Sequence, residues 1–112
     1  MSFPYVIVVP KLKVDGMALF PFIFVKTSSL KNDRILIRHE TIHLYQEVEL
    51  LILPFYILYL INYLANTFVH KERNAAYLNI VFEREAYANE CNINYLKQRK
   101  LWAWLKYIKV KR

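Results

Sequence analysis

From Leu50 to Val69 the chain runs for twenty residues without a charged side chain, the length at which an apolar segment becomes able to cross a bilayer as a helix. Nothing else in the sequence restricts the fold as strongly, because such a segment must leave water for lipid or for a protein core. Pro54, Asn62, Asn66 and Thr67 dilute it, and Tyr56, Tyr59 and Tyr63 recur at helical spacing on a partly polar stripe. These features favour a buried core helix, with an interfacial or re-entrant helix as the alternative. The full chain has 112 residues, 56% of them hydrophobic, with one Gly and four Pro. That composition argues against disorder and for one compact, helix-rich domain over residues 1–112.

Charge is unevenly placed. Of the sixteen basic residues, seven lie between Lys97 and Arg112, a stretch with no acidic residue. The body is therefore neutral, and a tail of about 97–112 carries the excess, which suits phosphates of lipid or nucleic acid. Trp102, Trp104 and Tyr107 interleave with these cations, a pattern that fits headgroup level or base stacking. The plainer expectation is an amphipathic end whose tryptophans dock on the body. No nucleic-acid motif accompanies the tail, so an anionic membrane surface ranks above specific nucleic-acid binding. Cys91 is the one cysteine, so no intramolecular disulfide is expected. Residues 1–9 lack a basic n-region and a small-residue cleavage site, so the expected location is cytoplasmic, peripheral to the membrane if the tail engages it.

The first twenty-five residues read as strands. Phe3 to Val9 and Leu19 to Val25 are β-branched and aromatic, and Asp15-Gly16 between them is a hairpin signal. Asn32 or Asp33 can cap a helix that begins near Arg34 and must end or bend before Pro54. A second helix is expected over Phe55 to about Val69, then a charged turn at 70–74. A third is expected after Asn79, read as its N-cap, through Tyr95. The expected fold class is thus α+β, helix-dominated, with a small N-terminal antiparallel sheet packed on three main helices.

The first of these helices carries the sequence His39-Glu40-Thr41-Ile42-His43. Histidines four apart project from one helical face and can take two corners of a tetrahedral zinc site. Glu40 lies roughly 100° round from His39, where its carboxylate can act as general base on a metal-bound water without being a ligand. A catalytic zinc site needs a third protein ligand. His70, in the charged turn, is the weaker candidate; the stronger ones lie in Phe82-Glu83-Arg84-Glu85-Ala86-Tyr87-Ala88-Asn89-Glu90, with Glu83 first and Glu85 in reserve.

These residues resemble the gluzincins, zinc metallopeptidases whose second motif reads Glu-x-x-Ala-Asp on a downstream helix. Glu83-Arg84-Glu85-Ala86 matches its first four positions, which by the resemblance makes Glu83 a zinc ligand and Ala86 the small residue allowing close helix contact. Tyr87 stands where that family has the Asp that orients a ligand histidine. A tyrosine hydroxyl could accept from an imidazole N–H, or Asn89 could do so if Glu85 is the ligand. The run is also similar to small, uncharacterised metallopeptidase-like proteins with a His-Glu-x-x-His-x-x-Gln helix and a later Phe-Glu-Arg-Glu-Ala-Tyr motif, a similarity spanning about Arg38 to Glu90. It implies a site role for Gln46, three residues after His43; Glu47 reads equally as a solvated helix face.

Together these readings imply a Zn2+-dependent peptidase acting on a peptide or protein substrate, with His39, His43 and Glu83 as ligands and Glu40 as base. They also oppose a single membrane crossing by 50–69, which would put two ligands of one ion on opposite sides of a bilayer. The competing expectation is a non-catalytic membrane-surface or interaction protein that works through its apolar helix and its basic aromatic tail.

Overall fold

The computed structural model describes residues 3–108; of the basic tail, Lys109, Lys111 and Arg112 lie outside the described residues. Three short strands, β1 (Tyr5–Val8), β2 (Gly16–Leu19) and β3 (Phe22–Val25), form a sheet in the order β1-β3-β2. The sheet is mixed rather than all antiparallel. β2 pairs antiparallel with β3, Leu19 opposite Phe22, while β1 runs parallel to β3, Tyr5 opposite Phe22. The tight turn therefore falls at Phe20-Pro21, where proline favours reversal, and Asp15-Gly16 opens β2 instead of turning a hairpin. The long return over 9–15 is what lets β1 lie parallel to β3.

A 3-10 turn (Ser28–Asn32) leads into α1 (Arg34–Glu49). Asp33 caps α1 by accepting a hydrogen bond from the Leu36 amide at 3.1 Å, satisfying one of the helix's free N–H groups. Leu51 and Ile52 adopt positive φ at the end of α1, and α2 (Leu53–Thr67) departs at 113° with Pro54 in its first turn. Then come α3 (Arg73–Leu78), α4 (Val81–Asn89), α5 (Tyr95–Gln98) and a closing 3-10 turn (Ala103–Tyr107). The third expected helix is thus divided: α4 is capped at Ile80, not Asn79, and stops well before Tyr95. The architecture remains helix-dominated α+β.

Two apolar clusters hold these elements together. Ala18, Ile23 and Val25 of the sheet pack with Leu44 of α1, flanked by Val6, Leu36 and Ile37. Phe55 of α2, Ile80 and Phe82 form the second, with Tyr59, Tyr77 and Trp104 against them. Trp104 meets Phe82 edge-on at 5.2 Å between ring centres, so that tryptophan docks on the body as expected. α2 does not become the core helix that its composition suggested. Phe55 is its one fully buried residue, because among the described residues α1, α3 and α4 pack against it on the side of its polar stripe while its aliphatic stripe stays exposed. No single helix among the described residues is long and apolar enough to cross a membrane.

Candidate metal centre

The side chains of His39 and His43 leave the buried face of α1 and meet Glu83, in the first turn of α4. Glu83 Oε1 lies 3.0 Å from His39 Nε2 and 3.1 Å from His43 Nε2, and one ligand atom from each residue falls within 4.8 Å of the others. All three residues are buried. The group could hold a metal ion. Tetrahedral zinc with bonds of about 2.0–2.1 Å sets its ligand atoms about 3.3 Å apart, close to these separations.

The hydrogen bonds behind the cluster define what it presents. His43 Nδ1 is 2.7 Å from Gln46 Oε1, and the Gln46 amide nitrogen donates to Phe82 O at 3.1 Å and to Glu85 Oε1 at 2.8 Å. Both partners of that nitrogen are acceptors, which assigns Oε1 as the acceptor for His43 Nδ1–H. His39 Nδ1 lies 2.7 Å from Glu90 Oε1 and donates to it. Each neutral imidazole is thereby left with an Nε2 lone pair aimed at a carboxylate oxygen. Three acceptors facing one point need a cation, either an added proton on an imidazole or a metal ion. Tyr59 donates to Glu83 Oε2 at 2.6 Å, which occupies that oxygen and leaves Oε1 for the centre.

Without a metal, charge pairing shapes the site. Burial alone would lower the proton affinity of His43, but the Glu83 carboxylate and its hydrogen bond prevail and push the imidazole up to about 10. Burial likewise opposes ionisation of Glu83, but His43 and His39 hold it well below the usual carboxylate range. Glu40 is raised, by burial above all, with His43 and His39 opposing. It lines two adjoining clefts. One, of about 290 Å³, is bounded by Gly16, Ala18, His43, Tyr59 and Glu83; the other by Asp15, Leu36, His39, Tyr87 and Glu90. The edge strand β2 borders the first cleft, and a Cβ on Gly16 would stand 3.3 Å from Glu40 Oε2.

Glu85, the reserve ligand, points away from the histidines. It is fully buried, receiving Arg99 Nε at 2.5 Å, Tyr95 OH at 2.6 Å and the Gln46 amide. On α4 a residue two positions from Glu83 must face another direction. Tyr87 does not orient His39 through its hydroxyl, which bonds Tyr77 at 2.9 Å; its ring packs against the imidazole at 4.4 Å instead, and Glu90 takes the N–H. Asn89 is engaged with the Glu85 carbonyl and Tyr107. Gln46 is buried, with its side chain between His43 and α4. Glu47 is buried rather than solvated, but it accepts from the Phe20 amide and Tyr56 and so ties the strand turn to α1. Burial pushes its carboxyl up to about 7 against those two bonds. His70 lies outside the cluster.

Glu90, Tyr59 and Gly16 were not anticipated. Glu90 had a readable signal, since it follows Glu83 by seven residues, two helical turns along the same face. Comparison with protein-family models, curated proteins and solved structures gives no match. The functional reading therefore rests on the site itself.

Proposed function

We propose that the chain is a small zinc-dependent peptidase of the gluzincin type, with His39, His43 and Glu83 holding the ion and Glu40 as general base. The observation that carries this reading is the convergence of two imidazole Nε2 atoms on Glu83 Oε1 while both Nδ1–H groups are held from behind. Ligand histidines in zinc enzymes are oriented in this way, and the donor set of two nitrogens and one carboxylate oxygen suits zinc. When bound there, zinc supplies Lewis acidity to a scissile carbonyl and brings the pKa of water near 7.

The remaining work falls to the chain. Glu40 accepts a proton from the attacking water and hands it to the departing amine, a role favoured by burial that raises its proton affinity. Gln46 and Glu90 keep the imidazoles in the tautomer whose Nε2 faces the centre. Tyr59 fixes the Glu83 carboxylate. The free edge of β2, beside Glu40 and His43, can receive an extended peptide as an added strand, so main-chain pairing would supply affinity.

The test is digestion of a peptide library by wild type and by Glu40→Gln. Cleavage should fall by about 10²–10⁴-fold in the variant, with zinc content unchanged. Equal cleavage by the two proteins would overturn the mechanism. Absence of cleavage by either, with function depending on the apolar helix and tail, would favour the non-catalytic membrane-surface reading.

A further inference from the structure

Helix α2 is turned inside out for a chain surrounded by water. Its polar stripe faces the protein: Tyr59 donates to Glu83, Asn62 Oδ1 accepts from the Val81 amide at 2.8 Å, and Asn66 donates to the Ala76 carbonyl at 3.0 Å. Tyr56, on the same stripe, bonds the Ala18 carbonyl. Its aliphatic stripe, Leu53, Ile57, Leu58, Leu60, Ile61 and Leu64, is exposed, and Phe68 beyond its end is 91% exposed. Water alone would favour the opposite rotation, because exposed apolar area costs free energy. Four polar side chains fix the observed one.

Cations are exposed beyond both ends of this ridge. Lys71 and Arg73 are exposed just past its C-terminal end, with Glu72 between them. At its other end, the Trp102 amide donates to Glu49 Oε2 at 2.8 Å, which holds the C-terminal segment against the corner between α1 and α2. That segment exposes Leu101 and Leu105 between Lys100 and Lys106, and residues 97–108 contain no acid. The rim of a protein interface is ordinarily of mixed polarity. An aliphatic ridge with exposed cations just past its C-terminal end and a basic, acid-free aromatic segment held at the corner where it begins suits the boundary between acyl chains and anionic headgroups.

We infer that the outward face of α2, with the exposed apolar residues of the C-terminal segment, docks on an anionic phospholipid bilayer. The helix lies along the surface. Its fifteen residues span about 22 Å, short of a hydrocarbon core of about 30 Å, and the corner with α1 turns the chain back. The inference stands on α2 and the C-terminal segment and is independent of zinc.

Flotation of the purified full chain with phosphatidylcholine vesicles, with and without phosphatidylglycerol, tests it. Wild type should float with the phosphatidylglycerol vesicles and lose binding as salt is raised. Ile57→Glu/Ile61→Glu should lower the bound fraction about tenfold, and Lys100→Ala/Lys106→Ala should reduce it to the level seen with phosphatidylcholine alone. The milder pair Leu60→Ala/Leu64→Ala, at exposed sites, should weaken binding while melting as wild type does. The inference is overturned if wild type stays unbound with phosphatidylglycerol present, or if no substitution on the ridge changes flotation. It is equally overturned if wild type forms a lipid-free dimer that Ile57→Glu/Ile61→Glu dissociates without any flotation, which would assign the face to a second copy.

Discussion

At the scale of single residues, the centre depends on groups that touch no substrate. Gln46→Ala removes the acceptor for His43 Nδ1–H, and Glu90→Ala removes the one for His39. Loss of such orienting partners weakens metal affinity by about 10–100-fold, which a competitive zinc titration of each variant would measure. Glu47 provides a pH test. Its folded-state carboxyl sits at about 7 against an ordinary 4.5, so the folded protein holds a proton that the unfolded chain has lost. That stability is fully present below about 4.5 and disappears as pH rises through about 7. Glu47→Gln, neutral at every pH and still an acceptor for the Phe20 amide, should flatten the slope of stability with pH between those values, as read by denaturant melts. The pairing of His39 with His43 was legible because helical spacing and ligand chemistry act together over a few residues, whereas Glu83, forty residues beyond His43, was reached only through the resemblance of its own segment to a second motif. Tyr87 was misread because a motif position fixes where a side chain starts, not which neighbour its hydroxyl reaches.

At the scale of elements, α1 and the bend before Pro54 follow directly from a capping aspartate and a proline, both local signals. The sheet was less legible. Parallel pairing of β1 with β3 is decided by a connection of several residues whose path has no sequence period, and Asp15-Gly16 resembled a turn while serving another need. Gly16 starts β2 beside the site, where an added Cβ would stand 3.0 Å from Leu36 Cδ1 and 3.3 Å from the Glu40 carboxylate. Gly16→Ala should therefore displace Glu40 and lower kcat/KM by about tenfold with zinc retained, in a steady-state assay of the purified variant. The link between α4 and the C-terminal segment is ionic as well as aromatic. Arg99 joins Glu85 and Glu49, at 2.5 and 2.7 Å, with all three side chains nearly inaccessible. Arg99→Ala leaves two buried carboxylates unpaired and should cost about 3–5 kcal/mol in a urea melt. No short-range pattern could reveal that pairing, whose two arms join Arg99 to residues fourteen and fifty positions away.

For the whole molecule, the apolar segment and the ligand pair constrain each other. His43 and Glu83 must meet across forty residues that include α2, so the chain has to fold back, and α2 became a one-sided lid over the centre instead of a core helix. Composition announced that the segment would leave water. It did not reveal that only one side would be covered, since that depends on how many elements remain to pack against it. A bound ion would then also act as a staple between α1 and α4. Ligand occupancy well above its Kd, on the order of a thousandfold, adds about 4 kcal/mol to stability, so dialysis against a chelator should lower the melting temperature and zinc, resupplied, should restore it. The most direct test of the central claim is elemental analysis of protein purified without a metal-affinity tag, wild type beside His43→Ala. The account predicts about one zinc per wild-type chain and none in the variant. A folded wild type that takes up no zinc when it is supplied would contradict it and would leave the contacts of His39 and His43 with Glu83 as a metal-free hydrogen-bonded cluster.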